Sequence, residues 1–270
     1  MPRPAKTKIS VVIPVYNALP ELKSCLHSLE STAKGLYELI LVDNGSGPAT
    51  RGFIAGLKGA VKIRNKANAG FSKAVNLGLR AACGDYIAVV NSDVAFYPGG
   101  LQGLAACLDA CPDAGACGPL TNRTVGVQRV VLDLKLEGDR KALEPFAAAM
   151  GLKFAGEYFD VHRLVGFCFM LRRAAYESVG LLDERFGTGC FEDFDYCLRL
   201  RQAGWKLKAA KDVFVWHRHH ASFSGHDHFH SWAVRNREVF VDKWCRKALE
   251  FLDELDPHLE TDPGMKRLKR

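Results

Sequence analysis

Residues 86–93, Tyr86–Ile87–Ala88–Val89–Val90–Asn91–Ser92–Asp93, decide how this chain is read. An apolar run rich in β-branched residues stops abruptly at a polar triplet. A strand that is apolar on both faces is buried on both faces, as central strands of α/β sheets are. Open α/β sheets collect ligands at the carboxyl ends of their strands, so Asp93 falls where chemistry is expected. Asn and Asp are also ordinary turn residues, and the triplet alone does not separate the two readings.

The flanking sequence alternates strand and helix. Upstream, the patterning predicts a strand over Ile9–Tyr16 and an amphipathic helix over Pro20–Glu30 carrying Leu22, Leu26 and Leu29. A second strand, Glu38–Val42, runs into Asp43–Asn44–Gly45–Ser46, and a third spans Val61–Arg64. The Asn68–Ala69–Gly70 turn then opens a helix over Phe71–Ala82, with Gly84 expected at C′. Strands separated by helices and short loops point to a parallel sheet in a Rossmann-like α/β layer. No G-x-G-x-x-G follows the first strand, which argues against dinucleotide binding.

Downstream, a helix is expected over Leu101–Asp113 and another near Arg140–Met150. Leu164–Leu171 is strand-like, and Arg173–Val179 is a short helix stopped by Gly180. Phe191–Glu192–Asp193 leads a helix to Ala203, with Phe194, Cys197 and Leu198 on one face and Gly204 as its stop. Val213–Val215 reads as a last short strand, and the pattern beyond Trp232 is helical.

Composition narrows the class. The 270 residues are 48% hydrophobic and 25% charged, in keeping with one large globular domain. No run approaches the length of a membrane helix, and the short apolar start contains Pro14 and lacks a signal-peptidase site. Nine cysteines without C-x-x-C spacing suit a reducing cytoplasm. The net charge of +7 equals the seven bases of the two ends, namely Arg3, Lys6, Lys8, Lys266, Arg267, Lys269 and Arg270. The remaining chain is balanced, which speaks against a nucleic-acid partner. Basic ends of this kind are solvated tails or peripheral contacts with an anionic membrane face.

Four groups of ligand-capable side chains fall at element ends: Asp43, Asp93, Glu192–Asp193 and His217. The segments around them, Ser10–Asn17, Leu41–Ser46 and Asn68–Gly78, resemble the nucleotide-binding half of family 2 glycosyltransferases. Asn91–Ser92–Asp93 stands at that family's D-x-D metal motif. Gly180–Gly204 resembles its acceptor half, and His217 to Ser222 its closing His-x4-Ser element. The resemblance runs in order over residues 9–222 and is strongest to the bacterial rhamnosyltransferase-type branch, where N-x-D commonly replaces D-x-D.

This resemblance implies an α/β GT-A fold with a mixed central sheet. Its single domain would span residues 1–240, with a nucleotide-sugar half (9–118), an acceptor half (119–240), and a C-terminal helix and basic tail (241–270). It implies a base-binding wall of Pro14, Val15 and Tyr16, and Asp43 hydrogen-bonded to a pyrimidine. Backbone N–H groups at Asn68 and Gly70 make a helix-start anion site that Lys73 could assist. Asn91 and Ser92 complete the donor side. Asp93 and His217 would hold Mn²⁺ or Mg²⁺, the imidazole favouring Mn²⁺. A diphosphate leaving group builds negative charge that such a cation neutralises.

Asp193 is the expected catalytic base, beside acceptor-side Gly166, Glu192 and Asp195. Like charges can raise its pKa toward working range, although an Asp at a helix start is also a good N-cap. The implied reaction is a metal-dependent inverting transfer from a UDP- or dTDP-sugar to a saccharide or lipid-linked saccharide, in cell-surface polysaccharide synthesis. A nucleotide-sugar binder or a nucleotidyltransferase is the alternative; the latter should carry a glycine- and base-rich loop where Asn17–Ala18–Leu19–Pro20 stands. A zinc site at His226, His228 and His230 is a weaker possibility.

Overall fold

A computed structural model of the chain describes residues 9–133, 137–218 and 229–248, the side chains of 229 and 230 excepted. Ser222, His226, His228, the His230 side chain, Asp262–Gly264 and both basic tails lie outside the described residues.

The strands are β1 (Ile9–Val15), β2 (Tyr37–Asp43), β3 (Ala60–Arg64), β4 (Tyr86–Val90), β5 (Val94–Phe96), β6 (Ala114–Thr121), β7 (Tyr158–Val161), β8 (Cys168–Arg172) and β9 (Lys206–His217). The helices are α1 (Leu19–Ala33), α2 (Pro48–Gly56), α3 (Phe71–Ala81), α4 (Gly100–Ala110), α5 (Glu144–Lys153), α6 (Arg173–Val179), α7 (Glu192–Gln202) and α8 (Phe229–Trp244). One mixed sheet runs β3-β2-β1-β4-β8-β6-β9-β5, with β7 paired to β9. The first four strands are parallel, as expected of the Rossmann-like layer. Antiparallel β8 then inserts between β4 and β6, pairing with both.

β4 is buried at every position, which is why its sequence lacks alternation. Tyr86, Ala88 and Val90 pack with Leu22, Cys25 and Leu29 of α1 and Leu101, Leu104 and Leu108 of α4. Ile87 and Val89 face the other layer, with Val75 and Leu79 of α3 and Tyr196, Cys197 and Leu200 of α7. Apolar burial on both faces fixes the register of the strand that delivers Asn91–Asp93.

Several expectations are corrected. The last strand is β9, twelve residues rather than Val213–Val215; Lys206, Lys208 and Lys211 along it break the apolar pattern. Gly84 is not the C′ residue of α3, which ends through extended Ala82. A Cβ at Gly84 would stand 2.7 Å from the Ser10 backbone nitrogen, so glycine there serves close approach to β1. The helix expected near Arg140 begins at Glu144. The strand-like Leu164–Leu171 pairs only from Cys168 on, leaving Leu164–Phe167 as a loop.

The α3 start and the loop before α7 meet at two glycines. Gly70 has φ 91°, and a Cβ on it would lie 2.5 Å from the Gly187 carbonyl oxygen. Gly70→Ala therefore meets both backbone strain and a backbone clash. With strain alone costing about 1–3 kcal/mol, the melting temperature should fall by roughly 5 °C or more. An unchanged melting temperature would mean the two segments are not in contact there.

Candidate active site

The polar triplet after β4 forms a tight turn, with Val94 N–H donating to the Asn91 carbonyl at 3.2 Å. The chain re-enters the sheet as β5, whose Val94 pairs with His217 of β9. That pairing brings Asp93 against His217, with Asp93 Oδ1 3.4 Å from His217 Nε2 and both side chains buried. His217 Nδ1 lies 2.7 Å from the Arg123 carbonyl oxygen, which can only accept, so Nδ1 donates. Nε2 then turns a lone pair toward a carboxylate unless a second proton or a cation stands between them. A carboxylate oxygen and an imidazole fixed by a backbone carbonyl are a donor set suited to a divalent cation. Among the described residues no group of three or more His, Cys, Asp or Glu is placed to hold a metal ion, so phosphate oxygens and water would supply the remaining ligands.

The nucleotide-side residues gather at the same sheet edge. Asp43, nearly fully buried, accepts from Ser46 N–H at 2.8 Å and lies 3.6 Å from Arg64 Nε. Pro14 and Tyr16 are half-buried and Val15 is buried; the chain then leaves β1 through left-handed Asn17 and Ala18. Asn17 is tied across by its N–H to Ser46 Oγ and by Gly47 N–H to its Oδ1, both at 2.9 Å.

Asn44 organises the next turn. Its amide donates to Asn68 Oδ1 and the Gly70 carbonyl, and its Oδ1 accepts from Asn65 Nδ2 and Ala69 N–H. This side chain builds the α3 start that the sequence marks as an anion site. Lys73 is exposed beside it.

On the acceptor side, α7 starts after two left-handed non-glycine residues, Cys190 (φ 73°) and Phe191 (φ 69°). The N-cap position is Phe191 rather than Asp193, although the Asp193 side chain does take one first-turn amide of α7. Asp193 accepts from Gly166 N–H and Phe194 N–H, each at 2.9 Å. Burial raises its pKa, opposed by the Arg163 guanidinium and these amides. Glu192 is buried, and its carboxyl pKa is pushed up to about 8, first by burial and then by Asp193. Its Oε2 has no hydrogen-bond partner among the described residues. Asp195 is fully enclosed and occupied: Arg199 Nε at 3.0 Å, Lys243 Nζ and Trp244 Nε1 each at 2.7 Å. Its carboxylate ties α7 to α8 through Lys243 and Trp244.

The raised Glu192 pKa has a stability consequence. A carboxyl whose folded pKa exceeds its unfolded value stabilises below about pH 4.5, and that contribution is lost as pH climbs through about 8. Glu192→Gln should therefore melt several degrees above wild type at pH 8.5, the gap closing toward pH 5. A gap independent of pH would mean Glu192 ionises normally.

One dipeptide joins the two chemistries. Gly166 N–H holds Asp193 Oδ2, while the carbonyl of Phe167 accepts from Asn91 N–H at 2.8 Å. The Phe167 ring stacks on His217 at 5.1 Å. Gln128 secures this loop, accepting from Val165 N–H and donating to the Pro119 carbonyl. Sequence reasoning missed Asn44, Gln128, Arg163 and Phe167. Their signal was weak: single polar or aromatic residues in loops, whose partners lie far away in the chain.

A parallel α/β layer closed by antiparallel strands, with an acid at the β4 exit and another at the start of α7, is the arrangement of a GT-A glycosyltransferase. The glycosyl transferase family 2 model matches residues 10–180, and the chain belongs to that family. The match ends before α7, so Asp193 and His217 lie beyond it. The N-acetylglucosaminyl-diphospho-decaprenol L-rhamnosyltransferase of Mycobacterium tuberculosis is 28% identical over 295 residues, covering 97% of this chain and 95% of its own. Among solved structures, GalNAc-T7 with UDP, GalNAc and Mn²⁺ superposes with a TM-score of 0.67 at 19% identity. That alignment covers 92% of this chain and 50% of the other. The Pyrobaculum calidifontis mannosyltransferase PcManGT with GDP-Man and Mn²⁺ gives 0.63 at 15%, covering 98% and 73%. These two likenesses show the fold. The chain is thus a family 2 glycosyltransferase, similar over nearly its whole length to a rhamnosyltransferase.

Proposed function

We propose that this enzyme moves a sugar, L-rhamnose in the first instance, from a UDP- or dTDP-linked donor to a hydroxyl of a saccharide carried on a lipid diphosphate. The observation that carries this reading is the Gly166–Phe167 dipeptide, which ties a carboxylate-imidazole pair and a raised-pKa carboxylate to one point of the sheet edge. An inverting displacement needs those two functions on opposite sides of one anomeric carbon. The rhamnosyl donor and lipid diphosphate acceptor rest on the name of the Mycobacterium tuberculosis relative.

Asp43 and the wall of Pro14, Val15 and Tyr16 bind the pyrimidine. Within the Asn68–Gly70 turn the Ala69 and Gly70 N–H groups are taken by Asn44 and Asn68, so the first-turn N–H groups of α3, with Lys73, and the Asn91–Ser92 turn would meet the diphosphate. Asp93 and His217 would hold Mn²⁺ or Mg²⁺, which supplies charge neutralisation of the departing diphosphate. Asp193, an acceptor by virtue of its two amide donors, takes the proton of the attacking hydroxyl. Gly166 and Glu192 line the acceptor side, Glu192 carrying a proton near neutral pH.

No described helix is long and apolar enough to cross a membrane. The basic ends of the chain would meet the anionic membrane surface beside such a carrier. Work on the cytoplasmic face, supplying cell-surface polysaccharide, follows from that acceptor class.

The test is a thermal-shift screen of nucleotide sugars with and without Mn²⁺. A donor at 100 times its Kd stabilises by about 2.7 kcal/mol. dTDP-L-rhamnose or a UDP-sugar should stabilise only with the metal present. No metal-dependent shift from any pyrimidine nucleotide sugar would overturn the reading.

A further inference from the structure

The loop that delivers Glu192 and Asp193 is held from outside the sheet. Asn236, in the middle of α8, is almost completely buried. Its amide nitrogen lies 2.5 Å from the Phe186 carbonyl oxygen, 2.6 Å from that of Gly189 and 3.2 Å from that of Cys190. An amide NH₂ has two protons, so two of these are full hydrogen bonds and the third is shared. The three carbonyls belong to the stretch that ends in left-handed Cys190 and Phe191, immediately before α7. Two consecutive non-glycine residues in that region cost of order 1–3 kcal/mol each and persist only where surrounding contacts impose them.

The rest of α8 reinforces the clamp. Phe240, fully buried, packs against Phe191 and Phe194 with ring centroids at 5.7 and 6.1 Å. Lys243 bridges Asp183 and Asp195, at 2.8 and 2.7 Å. The same loop presents the Gly187 carbonyl to Gly70 at the α3 start. Asn236 thus gathers the backbone that sets both the angle of α7 and the contact with the α3 start.

We infer that Asn236 is a positioning residue for transfer: its amide fixes the strained 186–191 loop and through it the place of Asp193 relative to the donor. Its amide nitrogen is spent on backbone carbonyls of the loop. The inference rests on Asp193 being the base, and it sets a requirement for α8, which lies outside the stretch matched by the family model.

The test compares Asn236→Ala, Asn236→Ser and Val239→Ala, the last removing a side chain that packs on the same aromatic cluster. The probes are dTDP-L-rhamnose and a short-chain lipid diphosphate bearing N-acetylglucosamine, in Mn²⁺. Misplacement by about 1 Å costs on the order of 100-fold, so Asn236→Ala should lose roughly 10–100-fold in kcat. Its donor KM should stay within about two-fold, and Asn236→Ser, with one donor restored, should fall between. Val239→Ala should melt lower yet keep its kcat.

A second readout needs no substrate. Loosening the loop lets water reach Glu192, so the fall of melting temperature between pH 5 and 8.5 should shrink in Asn236→Ala and persist in Val239→Ala. Asp193 and Cys190 beside Glu192 also enter this slope, and the Asp195 charge acts on Glu192. If Asn236→Ala gives no folded protein, Asn236→Ser against Val239→Ala decides. Asn236 variants that lose stability while keeping wild-type kcat and pH slope would overturn the inference. A wild type that transfers no sugar would instead remove the transferase reading, with the pH slope still reporting on the loop.

Discussion

Asp93→Ala is expected to bring the Mn²⁺-dependent affinity for a pyrimidine nucleoside diphosphate down to its metal-free level, a loss of about 100-fold or about 3 kcal/mol. Asp93 supplies the single carboxylate opposite His217, at 3.4 Å, in a buried position. Its removal leaves an imidazole alone to hold a hard cation, for which imidazole without carboxylate is a poor site. Asn91→Ala should cost less, since Asn91 offers only a neutral oxygen and its backbone N–H bond to Phe167 survives the change. Calorimetric titration of dTDP and UDP with and without Mn²⁺ measures both. Equal metal-dependent affinity in Asp93→Ala and wild type would take the cation away from this turn.

The second large effect belongs to Asp193. Asp193→Asn keeps the shape of the side chain, and its remaining carbonyl oxygen can still accept one of the two amide hydrogen bonds. What it loses is the ability to take a proton. General-base catalysis contributes about 10²–10⁴-fold, so transfer should fall by that order, measured as steady-state kcat. The melting temperature should move little, and upward with pH if at all, because burial raises the pKa of the native carboxyl. Transfer within a few-fold of wild type would leave Asp193 as a structural ligand of Gly166 and turn attention to Glu192.

How much of this was legible in the sequence follows from what each element buries. β4 was readable because both faces are apolar, and its polar stop is where the strand leaves the core. α6 and α7 were readable from Gly180 and Gly204, both left-handed in the structure. β6 was not, because Ala-Gly-Ala-Cys-Gly-Pro-Leu-Thr has almost no β-branched residues. Its glycines answer to neighbours instead, Gly115 to Trp205 and Gly118 to Gln128. β5 and β7 are three and four residues long, too short for a period to register.

At the site, the four ligand groups were visible as residue types at element ends. Their juxtaposition was not, since Asp93 meets His217 only through the pairing of β5 with β9. Asn236, and Asn44 in half of its bonds, act through backbone carbonyls and amides, and such partners leave no trace in residue type.

The account stands on a division of labour: Asp93 and His217 serve the donor, and Asp193 serves the acceptor. The donor affinity of Asp193→Asn, titrated calorimetrically with dTDP-L-rhamnose in Mn²⁺, tests that division most directly. An affinity within about two-fold of wild type is expected, because removing a proton acceptor from the acceptor side leaves every donor contact in place. A collapse of donor binding in that variant, with its melting temperature intact, would put Asp193 in the nucleotide site and contradict the account.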